Sequence, residues 1–198
     1  MSFRYARKTR RELEGIANAY LRAHGQYRGC KVLIEEIVEA EGYDIMPVPG
    51  LNRYAEAYLP KREGMLFVDE DQQLTQPLRY RFTLAEELAH ILIHRQIFRG
   101  KTADEIRQLY DEISDSDYAD LERNAKYLAA CLLMPKSTFI ERFAFHKARA
   151  QSKTTDTREI LSGVVVSVAR EFDVSRESAA YRAKHLGLVS EEDLLALD

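Results

Sequence analysis

The stretch that decides the fold spans residues 81–94 and reads RFTLAEELAHILIH. At about 100° per residue, its polar side chains fall within one arc of a helix, while its apolar side chains occupy the remainder. The polar stripe consists of Thr83, Glu86, Glu87, His90 and His94. The pattern predicts a helix whose polar face is directed at a shared site. One alternative stays open, in which the stripe is a solvated face of i,i+4 pairs and Thr83 with Glu86 forms a capping box.

The spacing of Glu86, Glu87 and His90 is that of an HExxH motif with glutamate in place of the first histidine. In HExxH, two histidines one helical turn apart bind Zn²⁺, and the glutamate after the first acts as general base on water at the metal. Glu87 stands at the position of the base and His90 at that of the second ligand. His94 follows one turn later, at metal-binding spacing from His90. We favour the interpretation that His94 packs or forms a hydrogen bond near the mouth of the cleft.

Two later segments accompany the motif, residues 122–135 (ERNAKYLAACLLMP) and residues 172–177 (FDVSRE). In order and spacing, the three segments together resemble the ImmA/IrrE family of metallopeptidases, which carry RFTLAHELGH, a helix ending AAxLLMP and a VSxxA-type helix pair. The resemblance covers most of the chain from about residue 30 onward. It implies a zinc-dependent endopeptidase that cleaves a helix-turn-helix repressor of the XRE type and thereby switches on genes.

The resemblance also implies a ligand set of Glu86, His90 and Asn124, with Glu87 as catalytic base. This set offers two oxygens and one nitrogen, which suit Mn²⁺ or Fe²⁺ better than Zn²⁺. An altered metal, weakened zinc binding and no metal are all open. We expect little stoichiometric zinc, because zinc sites generally need three good protein ligands.

Two acidic residues near Asn124 are candidate metal ligands in its place. Glu122 lies roughly 160° around the helix from Asn124, so we interpret it as half of a solvated i,i+4 pair with Lys126. Asp120 shares the face of Asn124 and is a candidate for reaching the cleft. Its simpler role is to cap the helix or to interact with the helix dipole.

Composition limits the class of protein. A chain of 198 residues, 45% hydrophobic and 31% charged, can bury a core and fits one domain with a small appendage. Its apolar runs are too short for a membrane span and its N-terminus is charged, which predicts a cytoplasmic protein without membrane contact. Cys131 lies in the apolar run LAACLLM, so a buried thiol is favoured over a disulfide with Cys30.

The net charge of −3 gives no overall attraction to nucleic acid. A basic arm at the N-terminus is the local exception, and a contact with phosphate is one interpretation of it. A solvated start to an amphipathic helix is favoured. The arm consists of Arg4, Arg7, Lys8, Arg10 and Arg11.

The predicted fold is α+β, a mostly helical zincin-like domain with a small antiparallel sheet and a C-terminal helix-turn-helix-like element. A helix ending at Gly42 precedes strands at residues 43–48, 54–59 and 65–68. The motif helix is predicted to begin near Pro77 and to reach about His94. It should form a groove with the strand at residues 65–68, which would accept an extended peptide by edge pairing.

The chain is divided by prediction into a metallopeptidase-like domain, residues 1–150, and a helix-turn-helix-like segment packed on it, residues 151–198. Asp173 stands where the turn usually has glycine, and Ser175 at the cap of the second helix. The basic residues that could contact DNA are Arg176, Arg182 and Lys184. A packing role for this segment is favoured.

The favoured function is therefore an ImmA/IrrE-type regulatory protein that acts on a helix-turn-helix repressor, by cleavage if a metal is bound. Two alternatives stay open: a pseudo-peptidase that binds its partner without cutting it, and a regulator that binds DNA through the C-terminal segment. A protein or peptide partner is expected, and a nucleic acid is not favoured.

Overall fold

The computed structural model describes residues 7–26, 30–51, 57–58, 64–98, 105, 108 and 112–195. The chain divides into two compact units. Unit 1 comprises Met1–Ile16 and Ile34–Ala129, and unit 2 comprises Ala17–Leu33 and Ala130–Asp198. The domain division at residue 150 stays a prediction.

Helices make up most of the described chain, and three short strands form the sheet, which confirms a mostly helical α+β fold. The elements in chain order are α1 (Arg10–Ala23), α2 (Ile34–Ala40), β1 (Asp44–Val48), β2 (Ala57–Tyr58), β3 (Met65–Asp69), α3 (Glu70–Thr75), α4 (Pro77–Phe98), α5 (Asp115–Leu133), α6 (Lys136–Gln151), α7 (Thr157–Phe172), α8 (Arg176–His185) and α9 (Glu191–Leu195).

The sheet has the strand order β1-β3-β2 and is mixed, so the prediction of an antiparallel sheet was wrong in one of its two pairings. β2 pairs with β3 in the antiparallel sense, whereas β1 pairs with β3 in parallel. Strand direction alternates along the chain, so the first and third strands run the same way. They become neighbours because β3 takes the centre, with Leu66 and Val68 fully buried. Pro47 lacks an N–H donor and favours an edge position for β1.

The central position of β3 also contradicts the prediction that this strand forms a peptide-binding groove with the motif helix. β3 is paired with β1 over Met65–Asp69 and with β2 at Phe67 and Val68. Edge pairing requires free backbone N–H and C=O groups, which β3 does not offer at these residues. The prediction that this strand would accept a peptide was therefore wrong.

The motif helix α4 begins at Pro77, as predicted, and ends at Phe98 rather than near His94. Proline suits the first helical position because its missing N–H has no partner there in any case. Leu84, Ala85 and Leu88 are 0% exposed. The apolar face of α4 is therefore core, and its direction determines where the polar stripe lies.

In unit 2, helices α6 and α7 pack against each other. Arg142 donates from Nε to Oε2 of Glu171 over 2.7 Å and from Nη2 to Oε1 over 2.6 Å. Phe139 and Phe172 pack with ring centroids 5.4 Å apart. A bidentate ion pair and an aromatic contact thus connect the two helices.

The turn between α7 and α8 follows the predicted pattern. Asp173 adopts the left-handed conformation, with φ 54° and ψ 51°, and Lys31 pairs with its carboxylate at 2.7 Å. The Ser175 side chain accepts a hydrogen bond from the backbone N–H of Ser178 and caps α8. Aspartate tolerates this backbone region better than most residues, which lets it replace glycine.

Arg182 on α8 is buried, with 1% exposure, so the prediction that it could contact DNA was wrong. Its Nε donates to the backbone carbonyl of Met134 over 3.0 Å, and Nη1 lies 3.4 Å from Sγ of Cys131. Lys184 forms an ion pair with Glu191. Arg182 therefore serves packing inside unit 2, and Cys131 is the buried thiol that was expected.

Two arginines in the described part of the basic arm have intramolecular partners. Arg7 pairs with Asp120 at 2.5 Å, and the Arg10 guanidinium lies 5.5 Å from the ring centroid of Tyr127. Arg4 lies outside the described residues. Within the described ranges, no helix combines the length and apolar character needed to cross a membrane.

Candidate metal centre

Three side chains from two helices converge in unit 1. Helix α4 contributes Glu86 and His90, which are one turn apart, and helix α5 contributes Glu122. One ligand atom from each lies within 4.8 Å of the others. All three side chains are partly buried. Glu86 and His90 come together as predicted, while Glu122 had not been expected at the site.

The interpretation of Glu122 as a solvated residue was wrong. Its Oε1 lies 3.6 Å from Nε2 of His90, and its side chain is only 30% exposed. Helical periodicity gives the angles between residues on one helix, but it does not say which face turns towards another helix. The family resemblance places Asn124 at the site. Glu122 lies on the opposite side of the same helix, which is why the sequence did not predict it as a ligand.

Asn124 is partly buried on α5 and its role as a ligand stays a prediction. Helical geometry keeps Asn124 roughly 160° away from Glu122, so the two do not share a face. Asp120, the other candidate, pairs with Arg7 and with Arg123. Ion pairs with those two guanidinium groups explain why the Asp120 carboxylate can be buried.

Burial dominates the electrostatics of the two adjacent glutamates. It raises the pKa of Glu86 from 4.5 to about 7, an effect that Lys126 opposes and Glu122 reinforces. It also raises the pKa of Glu87 from 4.5 to about 7, reinforced by the charges of Glu86 and Glu122. Three carboxyl groups thus crowd one partly buried region, and a cation there would relieve their repulsion.

The two histidines of α4 form a hydrogen-bonded pair through Nδ1 atoms 2.9 Å apart. His94 is fully buried, and burial followed by the charge of His90 lowers its pKa to about 3. A neutral His94 can accept a hydrogen bond at Nδ1 from the Nδ1–H of His90. In that tautomer Nε2 of His90 presents a lone pair towards Glu122, as a metal ligand requires.

Two further side chains lie near these ligands and were not singled out for the site from the sequence. Nζ of Lys126 is 3.9 Å from Oε1 of Glu86. Tyr118 is 45% exposed, and its pKa is raised by Glu122, then by burial and Glu86. Tyr118, Glu122 and Lys126 follow each other at intervals of four residues on α5, the spacing that places side chains on one helical face.

A profile of a peptidase family, M78, described as the IrrE N-terminal-like domain, matches residues 39–184. The chain belongs to this family. The match includes the strands, the motif helix and α5, so the cluster of Glu86, His90 and Glu122 lies within the family domain. No curated protein sequence matches the chain.

Among solved structures, the chain is similar to a transcriptional regulator of Mycobacterium tuberculosis, with a TM-score of 0.58 and 19% sequence identity. The similarity covers 88% of this chain but 46% of the regulator. This chain therefore spans less than half of that protein's length. At this level of identity, the similarity concerns the fold.

The donor set of the cluster fits a divalent cation. It offers two carboxylates and one imidazole, an oxygen-rich set that suits Mn²⁺ or Fe²⁺ better than Zn²⁺. In the tautomer described above, Nε2 of His90 and the carboxylate of Glu122 are both acceptors at a separation of 3.6 Å. Two acceptors this close are stabilised by a cation between them.

Proposed function

We propose that this protein is a metal-dependent regulatory peptidase in which Glu86, His90 and Glu122 hold a divalent cation and Glu87 is the general base. The observation that carries the proposal is the approach of three ligand atoms, from two helices, to within 4.8 Å of one another. Membership of a peptidase family gives this geometry its chemical context.

Glu87 has the electrostatics that a general base requires. Burial, followed by the charges of Glu86 and Glu122, raises its pKa to about 7. A base is most effective when its pKa lies near the working pH, because a usable fraction is ionised and its affinity for a proton is still high. Glu87 would accept a proton from water as the water oxygen adds to the peptide carbonyl carbon. It would then return that proton to the nitrogen as the C–N bond breaks.

The bound cation would polarise the peptide carbonyl and lower the pKa of water. Glu86 and Glu122 contribute carboxylate oxygens, and His90 contributes Nε2. His94 orients His90 through the Nδ1 hydrogen bond, which keeps the Nε2 lone pair available. The cluster thus supplies three ligands, and His94 orients one of them.

We infer that the substrate is a flexible segment of a helix-turn-helix repressor of the XRE type. The support is the family, together with a fold that a transcriptional regulator shares. β2 lies on the outer side of the sheet and contacts α4, so it replaces β3 as the strand that could pair with an extended peptide. A cytoplasmic location is consistent with such a substrate.

The test is incubation of the full chain with Mn²⁺ and a purified XRE-type repressor, followed by mass spectrometry of the products. We expect one specific cleavage by the wild type and none by Glu87→Gln, which should retain metal and repressor binding. Cleavage that persists in Glu87→Gln at the wild-type rate would exclude this mechanism.

The same experiment separates the pseudo-peptidase alternative. Repressor binding without cleavage, unchanged by Glu87→Gln and by removal of metal with EDTA, would favour that function. DNA binding through α8 has weaker support, because Arg182 is buried and Lys184 pairs with Glu191.

A further inference from the structure

Lys126 lies one helical turn after Glu122 on α5 and reaches towards α4. Its Nζ is 3.9 Å from Oε1 of Glu86. Residues four positions apart on a helix project on the same side, so the Lys126 side chain accompanies that of Glu122. The ammonium group therefore stands beside the ligands that the proposed function assigns to a metal.

The positive charge of Lys126 affects the pKa of two of these ligands. Burial raises the pKa of Glu86, and the charge of Lys126 opposes this rise. Burial also lowers the pKa of His90, Glu122 opposes that change and Lys126 adds to it. A divalent cation at the centre would act on both groups in the same direction as Lys126 does.

We propose that the Lys126 ammonium group is an internal cation that competes with a divalent metal for Glu86, so that the metal binds more tightly when Lys126 withdraws. This inference rests on the proposed function, since it concerns the same centre. The withdrawal needs no movement of the backbone, because the Lys126 side chain is 59% exposed and has a flexible four-carbon stem.

The competition lowers metal affinity in two ways. Glu86 must give up its ion pair before it coordinates, and an ammonium group that stays nearby repels the incoming charge. A single charge and a double charge about 5 Å apart, screened by water, repel enough to weaken binding roughly tenfold. Lys126 would thus set how readily the centre fills, and an arriving partner that draws Lys126 away would favour metal binding.

The test is a calorimetric titration of the metal-free full chain with Mn²⁺ alone. Lys126→Met removes the charge while keeping an unbranched chain, and we expect it to bind Mn²⁺ about tenfold more tightly than the wild type. Lys126→Arg keeps the charge and should retain the wild-type affinity. Lys153→Met is the matched control, because Lys153 is an exposed lysine in the turn after α6, and it should also leave the affinity unchanged.

A Glu122→Gln variant separates this inference from the proposed function. If Lys126→Met and the wild type bind Mn²⁺ equally while Glu122→Gln binds it more weakly, the role of Lys126 is overturned and the metal centre stands. If Glu122→Gln binds as the wild type does, or if neither the wild type nor Lys126→Met binds Mn²⁺, the proposed centre itself fails. A tighter Lys126→Met together with a weaker Glu122→Gln supports both.

Discussion

Glu87 shows at the scale of one residue how burial creates a chemical property. An exposed glutamate is a weak base at neutral pH, whereas the pKa of Glu87 is raised to about 7 by burial, then by Glu86 and Glu122. This shift also has a cost for stability. The folded protein favours the neutral form of Glu87 more than the unfolded chain does.

The sign of this effect gives a prediction for the metal-free protein. Because the pKa of Glu87 rises on folding from 4.5 to about 7, protonated Glu87 contributes to the stability of the folded state. That contribution is complete below pH 4.5 and is lost as the pH rises through 7. Glu87→Gln stays neutral throughout, so at pH 8 it should be more stable than the wild type by roughly 1–3 kcal/mol. At pH 4.5 the difference should be small.

Urea denaturation in EDTA at both pH values measures this difference. Glu177→Gln changes an exposed glutamate on α8 and provides the matched control, with little change at either pH. Equal stability differences for Glu87→Gln at pH 4.5 and pH 8 would contradict the raised pKa. The pH dependence that His94 gives has the opposite sign, since its pKa falls on folding from 6.5 to about 3. The contribution of neutral His94 to the stability of the folded state is lost as the pH drops below 6.5.

At the scale of elements, α8 combines a sequence pattern typical of a recognition helix with a buried role. Ser175 caps it and Asp173 makes the preceding turn, as local sequence predicts. Its arginine at position 182 nevertheless points into the core and donates to the carbonyl of Met134, at the C-terminal end of α5. A positive charge is favourable at that end of a helix.

Arg182→Ala should therefore destabilise the protein by about 3 kcal/mol, because it leaves a cavity and an unsatisfied buried carbonyl. For a chain of this size, the melting temperature should fall by roughly 6–12 °C. Arg176→Ala, at an exposed position on the same helix, should change the free energy of unfolding by less than about 0.5 kcal/mol. Thermal unfolding followed by circular dichroism compares the two, and similar losses would show that Arg182 has no special structural role.

At the scale of the whole molecule, metal binding and folding should be linked. Within the described residues, Glu86, His90 and Glu122 form the one cluster of three side chains that could hold a metal ion. The cluster joins α4 to α5, residues that are distant in sequence, so it can exist only in the folded chain. A cation that binds it must therefore stabilise the folded state.

Mn²⁺ at about 100 times its Kd should raise the free energy of unfolding by roughly 2.7 kcal/mol. The melting temperature should rise by several degrees and return to its starting value after EDTA. Glu122→Gln should show little of this response, whereas the exposed Glu177→Gln should respond as the wild type does. A rise of equal size in Glu122→Gln would place the metal elsewhere.

The sequence by itself determined the features that depend on local pattern. The period of 3.6 residues gathers the polar stripe of α4 on one arc, so Glu86 and His90 could be paired before any fold was known. Pro77 marks the start of α4, and Asp173 with Ser175 marks the turn before α8, because backbone conformation at these positions follows from the residue itself. The family was also recognisable from three short segments.

Only the tertiary structure decided which faces and strands meet. Glu122 turns towards α4, Arg182 turns into the core and β3 takes the centre of the sheet. Each of these outcomes depends on contacts between residues far apart in the chain. Periodicity fixes the angle between two side chains on one helix, but the direction of that helix face is set by whatever apolar surface it buries elsewhere.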